Sequence, residues 1–331
     1  MEKRKAAGVI RSVWDWLSKR PIVLMIVAYL IFTILVIPDF YNARNIKNYL
    51  IQCSDTVVFA CGMMFVMING GIDFSGAAVI GMGSWLAAMI MSTKMGWMPD
   101  SPLAIPLAIV AMIAVAVAAS AVNGFAVTRL KIPSFIATMS SNMILMGVTL
   151  TLSMSATVSG LPAAFVKLGS GTLLGIPYQV MIAAAVVAVS AVVVNRTAFG
   201  RKALAVGANP TAANIVGLPV KKTIMQLFLI NGLLVGIGII MFTARMGVGK
   251  AGLGETRVLD FVASCIIGGT SPGGGSVTVL GTVLGAMFIM LINNSLNMLG
   301  LPWYTITIAK GAFVVVMALA DAYRSHLEQT R

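Results

Sequence analysis

The chain alternates long uncharged apolar runs with short polar breaks, and that alternation leaves few folds open to it. Ten runs occupy residues 22–37, 51–68, 79–91, 103–122, 133–154, 178–194, 223–244, 258–268, 277–299 and 304–320. A helix needs about 20 such residues to cross the hydrocarbon core of a bilayer. Only 10% of the residues are charged and 59% are hydrophobic, whereas a soluble domain averages about 25% charge. The expected fold is all-α, a polytopic transmembrane bundle of about ten spans. Runs 79–91 and 258–268 are short, and each adjoins a glycine-rich segment. They are expected as short or broken helices near the centre, lining a cavity.

The net charge of +13 would suggest nucleic acid if it sat on one soluble face. Here the cations fall in short loops and tails, so no nucleic-acid partner is expected. With the N-terminus inside, 15 of the lysines and arginines fall in cytoplasmic tails and loops and 7 in outer loops, with Lys310 inside the last span. The positive-inside rule then places both termini in the cytoplasm. The chain divides into a basic N-terminal segment 1–21, a membrane domain 22–321 with a cytoplasmic loop at 195–222, and a tail 322–331. The basic start, with Trp14 and Trp16, reads as an interfacial anchor ahead of a retained helix rather than a cleaved signal peptide.

Gly70-Gly71-Ile72-Asp73-Phe74-Ser75-Gly76 aligns with Gly268-Gly269-Thr270-Ser271-Pro272-Gly273-Gly274, and the match continues through Val79/Val277, Gly83/Gly281, Leu86/Leu284 and Met89/Met287. Duplicated halves with a solute site at their interface are common in transporters. Gly232 to Gly236 and Gly281 to Gly285 are expected as helix-packing faces.

Several motifs lead nowhere catalytic. Gly247, Gly249 and Gly252 satisfy G-x-G-x-x-G, but they follow an apolar span rather than a strand of a βαβ unit. Gly249-Lys250-Ala251 lacks the first glycine and the Ser/Thr of a phosphate-binding loop, so ATP would have to be handled by another subunit. Gly269-Thr270-Ser271-Pro272-Gly273 fits G-x-S-x-G, yet the one histidine, His326, lies in the tail, and no triad can be assembled. Cys53, Cys61 and Cys265 form no metal or disulfide pattern. No metal, no cofactor and no enzymatic activity are expected.

Asp73 sits between apolar runs, where an ionised group costs about 2.5–3.5 kcal/mol on insertion scales. It reads either as a carboxylate lining a solute path or as a cap for the helix after Phe74. Asn69, Ser75, Ser271, Asn293 and Asn294 are the other candidates for that path, although bonds between helices are the commoner use of amides in membrane spans. Lys310 is expected to snorkel towards the outer surface.

The loop Gly200 to Lys222 carries the most specific local pattern. Asn209 suits an N-cap, Pro210 a first helical position and Gly217 a helix end, leaving Thr211 to Val216 as a short helix. It is expected to expose Ala212, Ala213, Ile215 and Val216 beside basic flanks, a surface that suits docking into another protein.

In this loop, in Asn69-Gly70-Gly71-Ile72-Asp73, in the stretch from Asn123-Gly124 to Ile132-Pro133-Ser134-Phe135-Ile136-Ala137-Thr138, and in Gly268-Gly269-Thr270-Ser271, Gly281, Gly285 and Asn293-Asn294, the chain resembles the membrane permease subunits of bacterial sugar ABC importers of the ribose, xylose and galactoside type. The resemblance covers nearly the whole chain. It departs at Phe74-Ser75-Gly76-Ala77, where the family usually has Leu-Ser-Val-Gly, and at Pro272-Gly273-Gly274-Gly275, where it has Leu-Ser-Gly-Gly. The resemblance implies an inner-membrane homodimer, a cytoplasmic ATPase that binds the ATP, and a periplasmic sugar-binding protein. It also implies that Asn209, Pro210, Thr211, Ala212, Ala213, Asn214, Ile215, Val216 and Gly217 form the coupling helix. Two alternatives are a secondary transporter driven by an ion gradient and an ABC permease for branched-chain amino acids or nucleosides. The first would want intramembrane ionisable groups, of which the sequence reading finds Asp73 and Lys310.

Overall fold

The computed structural model describes residues 21–99, 101–313 and 315, so the N-terminal anchor, including Trp14 and Trp16, and the C-terminal tail lie outside the described residues. The chain is mostly helical. Its helices are α1 Pro21–Val36, α2 Ala43–Met67, α3 Gly76–Met91, α4 Ala104–Thr128, α5 Ser134–Ser153, α6 Ala163–Ser170, α7 Tyr178–Arg196, α8 Ala198–Ala208, α9 Pro210–Ile215, α10 Val220–Met246, α11 Val258–Ile267 and α12 Val279–Met298. A further helix, α13, runs over 303–313.

Each apolar run carries a helix, but six of them, α2, α4, α5, α7, α10 and α12, are long and apolar enough to cross a membrane. At 16 and 10 residues, α3 and α11 are short, as their glycine-rich neighbours predict. Prolines punctuate the bundle. Pro133, Pro162, Pro177 and Pro219 immediately precede α5, α6, α7 and α10, where a fixed φ and a missing N–H cost the helix nothing. Two elements were not foreseen. The segment 155–177 holds α6 and a small hairpin pairing Thr172–Leu173 with Ile176–Pro177, and α8 fills the first half of the 195–222 loop, capped by Thr197 Oγ1 accepting the Gly200 N–H at 3.1 Å.

The chain forms two compact units. In the larger, residues 50–286, α4 and α10 pack along small residues. A Cβ on Gly124 would lie 2.9 Å from Met225 Sδ, one on Gly232 2.8 Å from Ser120 Cβ, and one on Gly236 2.9 Å from Ile113 Cα. Gly281 and Gly285 lie directly against the backbone of Gly268 and Ser264. Both glycine pairs are therefore packing faces, which lets helices approach closely where lipid supplies no hydrophobic drive. Phe59 stacks on Phe261 with ring centroids 4.7 Å apart.

The loops of this unit gather in two groups. In one, Ser92 Oγ donates to the Ser159 carbonyl at 2.6 Å, the Thr93 N–H donates to the Gly160 carbonyl at 2.8 Å, and Val158 bridges Gly249. In the other, the Gly275 N–H donates to the Ile68 carbonyl at 2.9 Å.

The smaller unit combines residues before Leu50 with those after Ala286. Ile37, Phe40 and Leu291 form its apolar centre. Asn294 exchanges two 3.1 Å hydrogen bonds with Asn45, and Tyr29 Oη pairs with Ser295 Oγ at 2.7 Å. Lys310 is half-buried on α13.

Candidate transport path and coupling helix

The two aligned glycine segments occupy equivalent places in the fold. Residues 68–75 join α2 to the short α3, and residues 268–278 join the short α11 to α12. They also touch: a Cβ on Gly274 would meet Gly70 N at 2.7 Å and Ile68 O at 3.0 Å, and one on Gly70 would lie 3.1 Å from Gly273 O. Gly70, Gly274 and Gly275 have φ of 74°, 88° and 74°, backbone that other residues adopt only with strain. A third segment joins them. Gly207, at the end of α8, rests its Cα against the Ile68 carbonyl, and Gly275 would carry a Cβ 2.6 Å from Ala208 Cα. Three stretches of bare backbone thus meet immediately before α9.

The turn into α3 and the first turn of that helix lie beside this contact among apolar residues, and their N–H groups need acceptors there. One face of α5 supplies them. Ser134 Oγ accepts from the Ile72 N–H at 3.3 Å, Thr138 Oγ1 from the Phe74 N–H at 3.1 Å and Asn142 Oδ1 from the Ala78 N–H at 3.0 Å. Asp73, 3% exposed, closes the network. Its Oδ1 accepts from the Ser75 N–H at 2.9 Å and from Ser75 Oγ at 2.5 Å, and its Oδ2 accepts from Asn231 Nδ2 at 2.7 Å. Asn123 Nδ2 donates to Ser75 Oγ at 2.9 Å, and Asn123 Oδ1 accepts from Ser141 Oγ. Asp73 therefore holds the turn ahead of α3 and ties it to α10. Residues 134, 138, 141 and 142 fall on one helical face, a polar stripe legible in the sequence but not singled out.

The other path candidates are dispersed. Asn69 is partly buried beside the triple contact, with a buried Nδ2 that meets no partner among the described residues. Ser271 lies in the second glycine segment, its Oγ accepting from the Gly273 N–H at 3.2 Å. Asn293 bonds Asn297 one turn on, and Asn294 pairs with Asn45 in the smaller unit.

The coupling-loop helix forms as its capping residues dictate. Asn209 Oδ1 accepts from the Ala212 N–H at 2.9 Å, and Pro210 takes the first turn. Gly217, at φ 81°, lets the Leu218 N–H reach the Ala213 carbonyl at 2.9 Å and its own N–H reach that of Asn214 at 3.1 Å, the paired closure of a Schellman end. The expected exposure holds for Ala212, Ile215 and Val216, the last two 79% and 74% exposed, but Ala213 is 4% exposed and faces inward. A helix of six residues has too few turns for sequence periodicity to show which side is buried.

A second correction concerns intramembrane charge. Asp55, fully buried on α2, receives Arg245 through Nε at 2.8 Å and Nη2 at 2.7 Å on Oδ2, and Arg257 Nη2 at 2.7 Å on Oδ1. Thr56 Oγ1 accepts from Arg257 Nη2 at 2.9 Å. Both guanidinium groups lie over the Phe242 ring, 5.0 and 5.2 Å from its centroid. The arginines read in sequence as outer-loop topology charges; instead they pin the end of α10 and the start of α11 to α2. Asp73 and Lys310 are thus not the chain's only ionisable groups within its apolar runs.

The apolar spans, joined by glycine-broken connections and buried polar ties, make this a multi-pass membrane protein. Residues 45–319 match the family described as branched-chain amino acid transport system / permease component, and the chain belongs to that family. It is 32% identical over 290 residues to the ribose import permease protein of Haemophilus influenzae, covering 86% of this chain and 87% of that protein. It is 28% identical to the xylose transport system permease protein of Escherichia coli K12, covering 86% of each, and 27% identical to the L-arabinose ABC transporter permease protein of Azospirillum brasilense, covering 95% of this chain and 90% of that protein. No solved structure matches the chain significantly. Its kinship with sugar ABC permeases marks it as a transport subunit of the bacterial inner membrane.

Proposed function

We propose that the chain forms the path for a monosaccharide, pentose-sized as in these relatives, and that a separate ATPase drives it through α9. The observation that carries the reading is the junction between the end of α8 and the two glycine segments: a capped knob with exposed Ile215 and Val216 begins directly after Gly207 and Ala208, which lie against Ile68 and Gly275. A push on α9 reaches the segments that open α3 and α12, the kind of small shift that moves packed helices between two arrangements. Asn69 and Ser271, in those segments, are the proposed groups at the path; Asp73 and Ser75 hold the turn that positions Asn69's segment. Two copies of the chain, each with its own α9, would serve a dimeric ATPase, and a periplasmic binding protein would deliver the sugar. The test is uptake in proteoliposomes. ATP-dependent accumulation of ribose, xylose or L-arabinose is expected only with the ATPase and binding protein present; uptake by the chain alone under a proton or sodium gradient would instead make it a secondary transporter.

The same reading has ten crossings with both termini and the 195–222 loop cytoplasmic. The loop groups of the larger unit support it, because those that bond one another, 92–98 with 155–160 and 247–250, or 68–75 with 207–208 and 273–275, are those the alternation assigns to one side. Pairing of Arg245 and Arg257 with Asp55 also removes two of the 7 outer cations from the count that opposes it. In a cysteine-free background, Lys167→Cys is expected to react with an impermeant maleimide in intact cells and Arg201→Cys only after permeabilisation. The opposite pattern would invert the topology.

A further inference from the structure

Where α4 ends and α10 begins, a groove of about 710 Å³ is lined by Thr128, Arg129, Leu218, Lys221, Met225 and Leu229, among others. Arg129, Lys221 and Lys222 stand at its rim, all exposed, and none forms an ion pair among the described residues. No acid of this chain is near them in sequence, since residues 101–254 contain no aspartate or glutamate. A ligand that brings its own negative charge would be favoured at such a rim. The floor is of another kind: Met225 and Leu229 belong to the apolar stretch of α10, and Leu229 lies nine residues past Val220, about 13 Å along the axis at 1.5 Å per residue. A site with three cations at its mouth and an aliphatic floor at span depth matches an anionic phospholipid, phosphate at the rim and acyl chain against the floor.

We infer that this groove binds an anionic phospholipid between α4 and α10, beside the coupling helix, whose Asn214 also lines it. A soluble partner would meet the cations but has no means of filling a floor inside the span. Such basic pockets between transmembrane helices are the recurrent form of lipid headgroup sites. The inference rests on the membrane topology proposed above only for the leaflet concerned, the inner one.

The test uses the full-length permease in nanodiscs containing phosphatidylcholine with a small fraction of phosphatidylglycerol or cardiolipin, followed by native mass spectrometry of the lipid retained. At about fivefold per cation near a lipid surface, three cations are expected to give roughly a hundredfold preference for the anionic lipid, weakening as salt rises. The combined variant Arg129→Gln, Lys221→Gln, Lys222→Gln is expected to lose that preference, while Arg196→Gln with Arg201→Gln, exposed cations outside the groove, keeps it. Equal retention by the triple variant and the parent overturns the inference. So does retention that is unchanged while co-purification with the ATPase, or self-association of the permease, is lost, because the cations would then serve a protein contact. Both leaflets of a nanodisc are alike, so an inverted topology would leave this result intact and appear only in the maleimide labelling.

Discussion

Asp55→Ala is expected to cost the permease about 3–5 kcal/mol of stability, the usual penalty for stranding a buried charge, and to leave little protein monodisperse after extraction in mild detergent. Two arginines converge on this carboxylate within 2.8 Å, so its removal takes away the acid that both of them share. The variant Asp55→Leu, Arg245→Met, Arg257→Met removes these three charges together at similar volume and is expected to recover most of the loss, since apolar replacement of a buried ion cluster is often neutral or better. Thermal unfolding followed by size-exclusion chromatography measures both. A single variant as stable as the parent would mean that the ends of α10 and α11 are held to α2 by other contacts.

Ile215→Arg and Val216→Arg are expected to abolish ATP-driven uptake, by at least about tenfold, while leaving insertion near normal. Burying an aliphatic side chain of this size contributes about 1.5–3 kcal/mol, and these two are about three-quarters exposed, so an interface that covers them loses that contribution and gains an unpaired charge. Because they project from α9, an arginine there does not disturb the fold. Ala213→Arg is the contrasting variant: at 4% exposure it would break the helix itself and lower the amount of folded protein. Co-purification with the ATPase, sugar-stimulated ATP hydrolysis and membrane level separate the two outcomes. Unchanged co-purification and hydrolysis in both exposed-site variants would place the coupling surface elsewhere.

The periodic and capping signals were legible because they are local. Apolar runs located every long helix, glycine-rich neighbours marked the short α3 and α11, and Asn209, Pro210 and Gly217 fixed α9 to within a residue. The misses are long-range. Asp55 looks like one acid in an apolar run, and its partners lie 190 and 202 residues away, a separation no local pattern spans. The stripe Ser134, Thr138, Ser141 and Asn142 was readable as a helix face, but its purpose depends on α3 lying beside it: Ser134, Thr138 and Asn142 accept N–H groups of the turn into α3 and its first turn, and Ser141 donates to Asn123. Asp73 shows the same limit: its position announced a buried carboxylate, and only the fold reveals that Ser75 and Asn231 occupy it.

The meeting of Gly207, Ile68, Gly70, Gly274 and Gly275 is a linkage without cushioning. Side chains at a joint can swing between rotamers and absorb a displacement before it reaches the next element. Here peptide planes rest on one another with no side chain between them to absorb a displacement. Because one stretch, residues 207–208, touches both glycine segments, the two contacts share a hinge: a displacement of that stretch would be felt by both segments together rather than one after the other.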